Sequence, residues 1–160
     1  MGYTRYWEGA VVCSDAVWDQ IIDEFMAVGV KSKVKLASYT GSGLATLSKT
    51  EFAFNGEGKL GHESVNIRRG QNEFGFCKTA QKPYDILVCA LLIIMQHRIR
   101  TFKVSSDGGP ADWADAIALC QDVLGYGVYP CRKDDDPEPA AGDPFIFKRM
   151  IPEGVKEKPL

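Results

Sequence analysis

The sequence predicts an α+β fold: one antiparallel sheet of about five or six strands packed with three helices, the middle helix buried. Three observations lead there. Apolar residues recur at helical spacing in two segments and fill a third nearly all round, whereas residues 34–77 change to short period-two runs separated by glycine and polar clusters. Those runs are joined by links too short for a parallel crossover, so they pair antiparallel. With 160 residues, 45% hydrophobic and 25% charged, the chain can bury one core without disulfide or metal staples.

The first strand is read in "YTRYW", rich in aromatics. Ser14 then stands as an N-cap before "DAVWDQIIDEFMAVG", where Trp18, Ile21, Ile22, Phe25 and Val28 fall on one stripe and Gly29 is placed to end the helix. In the middle section Phe52 and Phe54 alternate with Glu51 and Ala53, and Val65 and Ile67 with Asn66 and Arg68, while Phe74 and Phe76 flank Gly75. "TGSG", "NGEGKLG" and "RRGQN" supply the turns.

Next comes "KPYDILVCALLIIMQHRI", with Pro83 at the first helical position, Asp85 in the first turn, and His97 and Arg98 complementing the C-terminal dipole. Ile86–Met95 is apolar nearly all round, which makes this helix the central one. A strand "TFKVS" leads through "SDGGP" into "ADWADAIALCQDVLG", a helix with Trp113, Ile117, Cys120 and Leu124 on one face and Gly125 and Gly127 at its end. The expected order is β-α-β-β-β-β-α-β-α over a single domain, residues 1–130. Residues 131–160 read as a charged, proline-rich linker and a C-terminal tail, with "FIFKRMI" as an edge-strand candidate.

A net charge of −2 provides no basic field for nucleic acid, so nucleic acid is not an expected partner. The apolar run 86–95 is well short of the roughly 18 residues that cross a bilayer, so no membrane partner is expected. The N-terminal segment lacks a basic start followed by an apolar core, and Tyr6 stands where a myristoylation signal needs Ser or Thr; a cytoplasmic protein is expected. Five cysteines, none in a CxxC pair, and only two histidines advertise neither a metal site nor a cofactor. They read as free thiols in a reducing compartment: Cys89 and Cys120 on apolar helix faces and unreactive, Cys131 beside the charged linker and readily alkylated.

The stretch "FGFCKTAQKPYD" raises the question of a phosphate loop, because Lys78-Thr79 resembles the end of GxxxxGK[ST]. Asn72 and Cys77 stand where that motif needs glycine, and the helix begins at Pro83 rather than directly after Thr79, so the loop is a helix entrance. Lys78, Thr79, Lys82 and Tyr84 still gather at a helix N-terminus, with Ser105, Ser106 and Asp107 alongside, and this is where a small anionic ligand would sit. Pro83 lacks an amide there and Asp85 opposes an anion. A cysteine-nucleophile alternative pairs Cys77 with His62 as its base, with Lys78 available to lower the thiol pKa. His62 and Glu63, adjacent in an extended segment, point to opposite faces. Ser105, Ser106 and Asp107 are read as turn and capping residues ahead of catalytic ones. Lys59, Arg68 and Arg69 with Lys78 and Lys82 offer a basic patch, and Tyr3, Tyr6, Trp7 and Tyr39 offer rings, read as packing ahead of base stacking.

The linear pattern "YW", "FNG" with "GHES", "FCKTAQKPYD", "VSSDGG" followed by a tryptophan, and "LGYG" resembles a family of small uncharacterised proteins of bacteriophages, other DNA viruses and bacterial genomes. The resemblance spans residues 3–127; its most specific pieces are "FCKT" followed by "KPYD" and the "SSDG" to "LGYG" unit. No activity is assigned to that family, so it transfers no catalytic residue. It implies an intracellular viral or prophage setting, in which small accessory proteins bind a host factor or a signalling molecule. The functional expectation is therefore a non-enzymatic accessory protein that binds a host protein or a small anionic ligand, the alternative being a small hydrolase or transferase that uses Cys77 or His62.

Overall fold

The structure, a computed structural model, describes residues 3–131; the linker and the edge-strand candidate beyond them lie outside the described residues. The chain runs β1 (Thr4–Glu8), α1 (Asp15–Ser32), β2 (Leu36–Ala37), β3 (Thr46–Leu47), β4 (Glu51–Gly56), β5 (Val65–Arg68), β6 (Gly75–Lys78), α2 (Asp85–Arg98), β7 (Lys103–Ser106) and α3 (Ala114–Leu124). Short 3-10 turns lie at Gly58–Leu60 and Pro110–Trp113. The α+β class, the three helices and the antiparallel pairing are as the sequence predicts. The middle section holds one strand more than the expected order.

The strands form two sheets rather than one. In the first, β1 lies between β6 and β7 and is antiparallel to both. In the second, β4 pairs with β2, β3 and β5. β6 therefore leaves the meander that precedes it, and the first strand of the chain captures it. Trp7 accounts for this pairing at Gly75: the indole lies over that residue so closely that a Cβ would overlap it.

α2 is the centre of the core, its residues Leu87–Met95 no more than 3% exposed. α1 and α3 pack against it and against each other. On α1 the stripe Trp18, Ile21, Phe25 and Val28 is buried as the periodicity requires, and Ile22 is partly covered. Ser14 caps that helix by accepting from the Val17 amide at 3.2 Å. The helix passes straight through Gly29 and ends at Lys33, which itself takes the left-handed conformation at φ 59°; glycine permits that turn but does not compel it. α3 begins as a 3-10 turn on Pro110, with Asp112 accepting from the Gly109 amide at 2.9 Å, and ends on left-handed Gly125. Among the described residues, no helix is long and apolar enough to cross a membrane.

Candidate functional site

The entrance of α2 already holds an anion, and that anion belongs to the chain. The Asp85 carboxylate accepts from the Thr79 hydroxyl at 2.6 Å on Oδ1, from Arg5 Nε at 3.1 Å on Oδ1 and from Arg5 Nη2 at 2.8 Å on Oδ2. It sits in the first turn of the helix, where the backbone dipole favours negative charge. Arg5 is fully buried, its guanidinium 4.8 Å from the Trp113 ring centre and 5.6 Å from that of Tyr3. Burial works against its charge, but the hydrogen bonds to Asp85 and the nearby negative groups more than offset this and hold the guanidinium above its ordinary pKa. Side-on pairing through Nε and Nη2 is the strong geometry for arginine and carboxylate.

The motif pieces singled out in the sequence converge on this pair. Arg5 lies between Cys77 on β6 and Ser106 on β7 in the sheet register, with Thr79 and Asp85 closing the remaining side. The Ser106 hydroxyl accepts from Trp113 Nε1 at 2.9 Å, and the Asp107 carboxylate accepts from the Thr4 amide and the Tyr6 hydroxyl, each at 3.2 Å. Thr79, Ser106 and Asp107 thus serve the fold.

The two lysines do not reach the helix start. Lys78 lies on the opposite face of the sheet, level with Thr4, while Lys82 Nζ donates to the Lys59 carbonyl at 3.4 Å. Ser105 also lies on that outer face, opposite Tyr6. The expected anion site is therefore dispersed, and Asp85 occupies its centre.

Cys77 is equally committed. It is fully buried, its thiol donates to the Glu63 carbonyl at 3.2 Å and lies 3.8 Å from the Tyr84 hydroxyl, and burial pushes its pKa up to about 12. Tyr84 is buried and donates to the same Glu63 carbonyl at 2.6 Å. His62 is exposed, its Nδ1 2.7 Å from the Lys78 carbonyl. A thiol held mostly protonated, whose partners are a carbonyl and a phenol, lacks the base that nucleophilic catalysis needs.

The thiols can be ranked directly. Cys77, Cys89 and Cys120 are at most 1% exposed and burial raises all three pKa values, so native alkylation followed by mass spectrometry is expected to leave them unmodified while Cys13 and Cys131 react. Cys131 does not meet the expectation of ready reaction: it bridges to Val104, its sulfur lies 3.6 Å from the Ser106 hydroxyl, and burial raises its pKa. Its rate should fall well below that of a free thiol.

Arg5 is the residue that sequence reading missed. A signal was there, because strand alternation puts Arg5 on the face of Trp7, and a tryptophan turned to the core carries its neighbour at two residues with it.

The outer face of the three-stranded sheet differs in kind. Gly75 must face the Trp7 indole, so alternation turns Phe74 and Phe76 outward, where they are 62% and 56% exposed. Tyr6 stacks on Phe74 with ring centres 5.9 Å apart, and Phe74 lies 6.4 Å from Phe76. Lys78, Ser105, Lys103, Glu8 and Asp107 surround the rings. Among the described residues, no group of three or more His, Cys, Asp or Glu side chains is placed to hold a metal ion.

No family model, curated protein or solved structure matches the chain.

Proposed function

We propose that the protein is a non-enzymatic binding protein whose partner is a host protein docked on the outer face of the β6-β1-β7 sheet. The observation that carries this reading is the Tyr6, Phe74 and Phe76 cluster: two large aromatic side chains more than half exposed, side by side on a regular sheet surface. Apolar area of that kind costs solubility unless it is used, and aromatic residues set among mixed charges are the composition of a protein interface. The charges at the rim are of both signs and the net charge is −2, which favours a protein over a polyanion. The resemblance to phage and viral accessory proteins is what supports looking for such a partner in the cytoplasm of a host cell. The small-anion reading loses its support because Asp85 fills the place it required. The hydrolase or transferase reading loses its support because Cys77 and His62 are separately engaged.

The test is site-specific photo-crosslinking in host cells, with a benzophenone side chain placed at position 74, at position 76 and, as a control, at Leu44, which is 90% exposed on the other sheet's loop. A single host protein adduct at 74 and 76 and none at 44 is the expected result. No adduct at the sheet face, or the same adducts at all three positions, would remove the proposal. Phe74→Ser with Phe76→Ser should abolish the adduct formed from a probe at position 6 and change the unfolding free energy by no more than about 1 kcal/mol, since neither side chain belongs to the core.

A further inference from the structure

The outward side of α1 carries a row of side chains that the core does not use. Asp19, Ile22, Met26, Val30 and Lys33 follow one another at spacings of three, four, four and three residues, which places them on one stripe of the helix. Met26 is 53% and Val30 81% exposed, Ile22 is partly buried, and the core stripe Trp18, Ile21, Phe25 and Val28 lies elsewhere on the same helix. Gly29 stands beside the row. Inside a helix glycine is a poorer choice than alanine, and a Cβ at this position would meet nothing within 4 Å, so the fold itself does not ask for glycine there. The missing side chain leaves room for a second backbone to come close.

We propose that this row is the contact between two copies of the chain, paired antiparallel through α1. The pattern carries the choice of partner. Turned end for end about Met26, the row falls on itself: Asp19 meets the partner's Lys33, Ile22 meets the partner's Val30, and Met26 meets its own counterpart. A twofold interface needs such self-complementarity, because the same patch serves on both sides. The apolar centre is then closed at each end by an ion pair. The antiparallel order also sets the acids of the first half of α1, Asp15, Asp19 and Asp23, against the lysines at its end, whereas a parallel pair would set acid against acid. Lys49 pairs with Asp19 inside the chain at 2.5 Å, but their side chains are 72% and 44% exposed, so that pair is easily exchanged for another. The row shares no residue with the aromatic face of the sheet, and the two can be tested apart.

About four turns of a single helix make a small interface, so a weak and reversible dimer is expected. Sedimentation equilibrium of the full chain between about 10 µM and 1 mM covers the range in which such association is read. Met26→Glu, at an exposed position, sets two like charges on the twofold axis and should abolish the dimer. Asp19→Lys should weaken it about tenfold or more, because lysine then faces lysine at both ends. Asp19→Lys combined with Lys33→Asp should restore it, which a change confined to one chain would not do. Aspartate is among the residues that accept the left-handed conformation at position 33. Phe74→Ser with Phe76→Ser should leave the dimer unchanged. A chain that stays monomeric throughout would overturn the proposal and give the row to another occupant. A dimer that survives Met26→Glu, a charge exchange that fails to restore it, or a dimer lost with the two phenylalanines would overturn it as well.

Discussion

Replacing Arg5 with methionine is expected to cost about 3–5 kcal/mol and to bring the protein close to its unfolding threshold, because it strands the Asp85 carboxylate against a buried face. Methionine fills much of the volume, so the loss is electrostatic more than steric. Asp85→Leu should be equally damaging, since it leaves a guanidinium at 0% exposure without its counter-charge. The double replacement, Arg5→Met with Asp85→Leu, should recover most of the loss, short by about 1 kcal/mol for the Thr79 hydroxyl that loses its acceptor. Urea unfolding of the four proteins gives the coupling directly. Additive losses would mean that the two side chains do not act as a pair.

Gly9→Ala is the second large effect. Gly9 sits at φ 99°, and a Cβ there would run into the backbone carbonyl of Thr101, which cannot rotate away as a side chain can. The left-handed conformation costs a non-glycine residue about 1–2 kcal/mol and the overlap about 1–3 kcal/mol more. A loss of about 2–5 kcal/mol in chemical denaturation is expected. Gly41→Ala is the internal control: it shares the positive φ, but nothing lies near its missing Cβ, so only the conformational part should be seen.

Most of the fold was legible because it rests on short-range pattern. Ile86–Met95 announces a buried helix by having no polar face, and Phe52 and Phe54 announce a strand by alternation. The split into two sheets was not legible. A strand's hydrophobic period states which face is buried but not which strand lies beside it, and the partners of β1 are some 70 and 100 residues away in sequence. The same distance hid the electrostatic centres. Arg5 finds Asp85, and Glu24, an acid on the apolar stripe of α1, finds Arg98 and Tyr126 only after the chain has folded back on itself. His97 was read as a charge complementing the helix dipole. Its surroundings keep it neutral above about pH 4, so Arg98 alone plays that part.

At the candidate site the segments singled out in the sequence come together, and the charged pair at their meeting point is Arg5 with Asp85. "FCKT", "KPYD" and "SSDG" do meet in space, but they meet around Arg5 as a structural joint. The exposed pair Phe74 and Phe76 was visible as alternation, yet alternation alone cannot say which face looks outward. That was decided by Gly75 beneath the Trp7 indole.

The position of β1 also sets an order of events during synthesis. β1 is the middle strand of its sheet and leaves the ribosome before both of its partners, so that sheet cannot be completed until β6 and then β7 have emerged, some hundred residues later. Throughout that interval Arg5 and Trp7 have no partners, while the β4-centred sheet, whose pairings are local, is free to form. Closing so long a loop is slow compared with local pairing. The β4-centred sheet should therefore form before the β6-β1-β7 sheet, with β1 waiting unpaired until then as a segment open to chaperone capture.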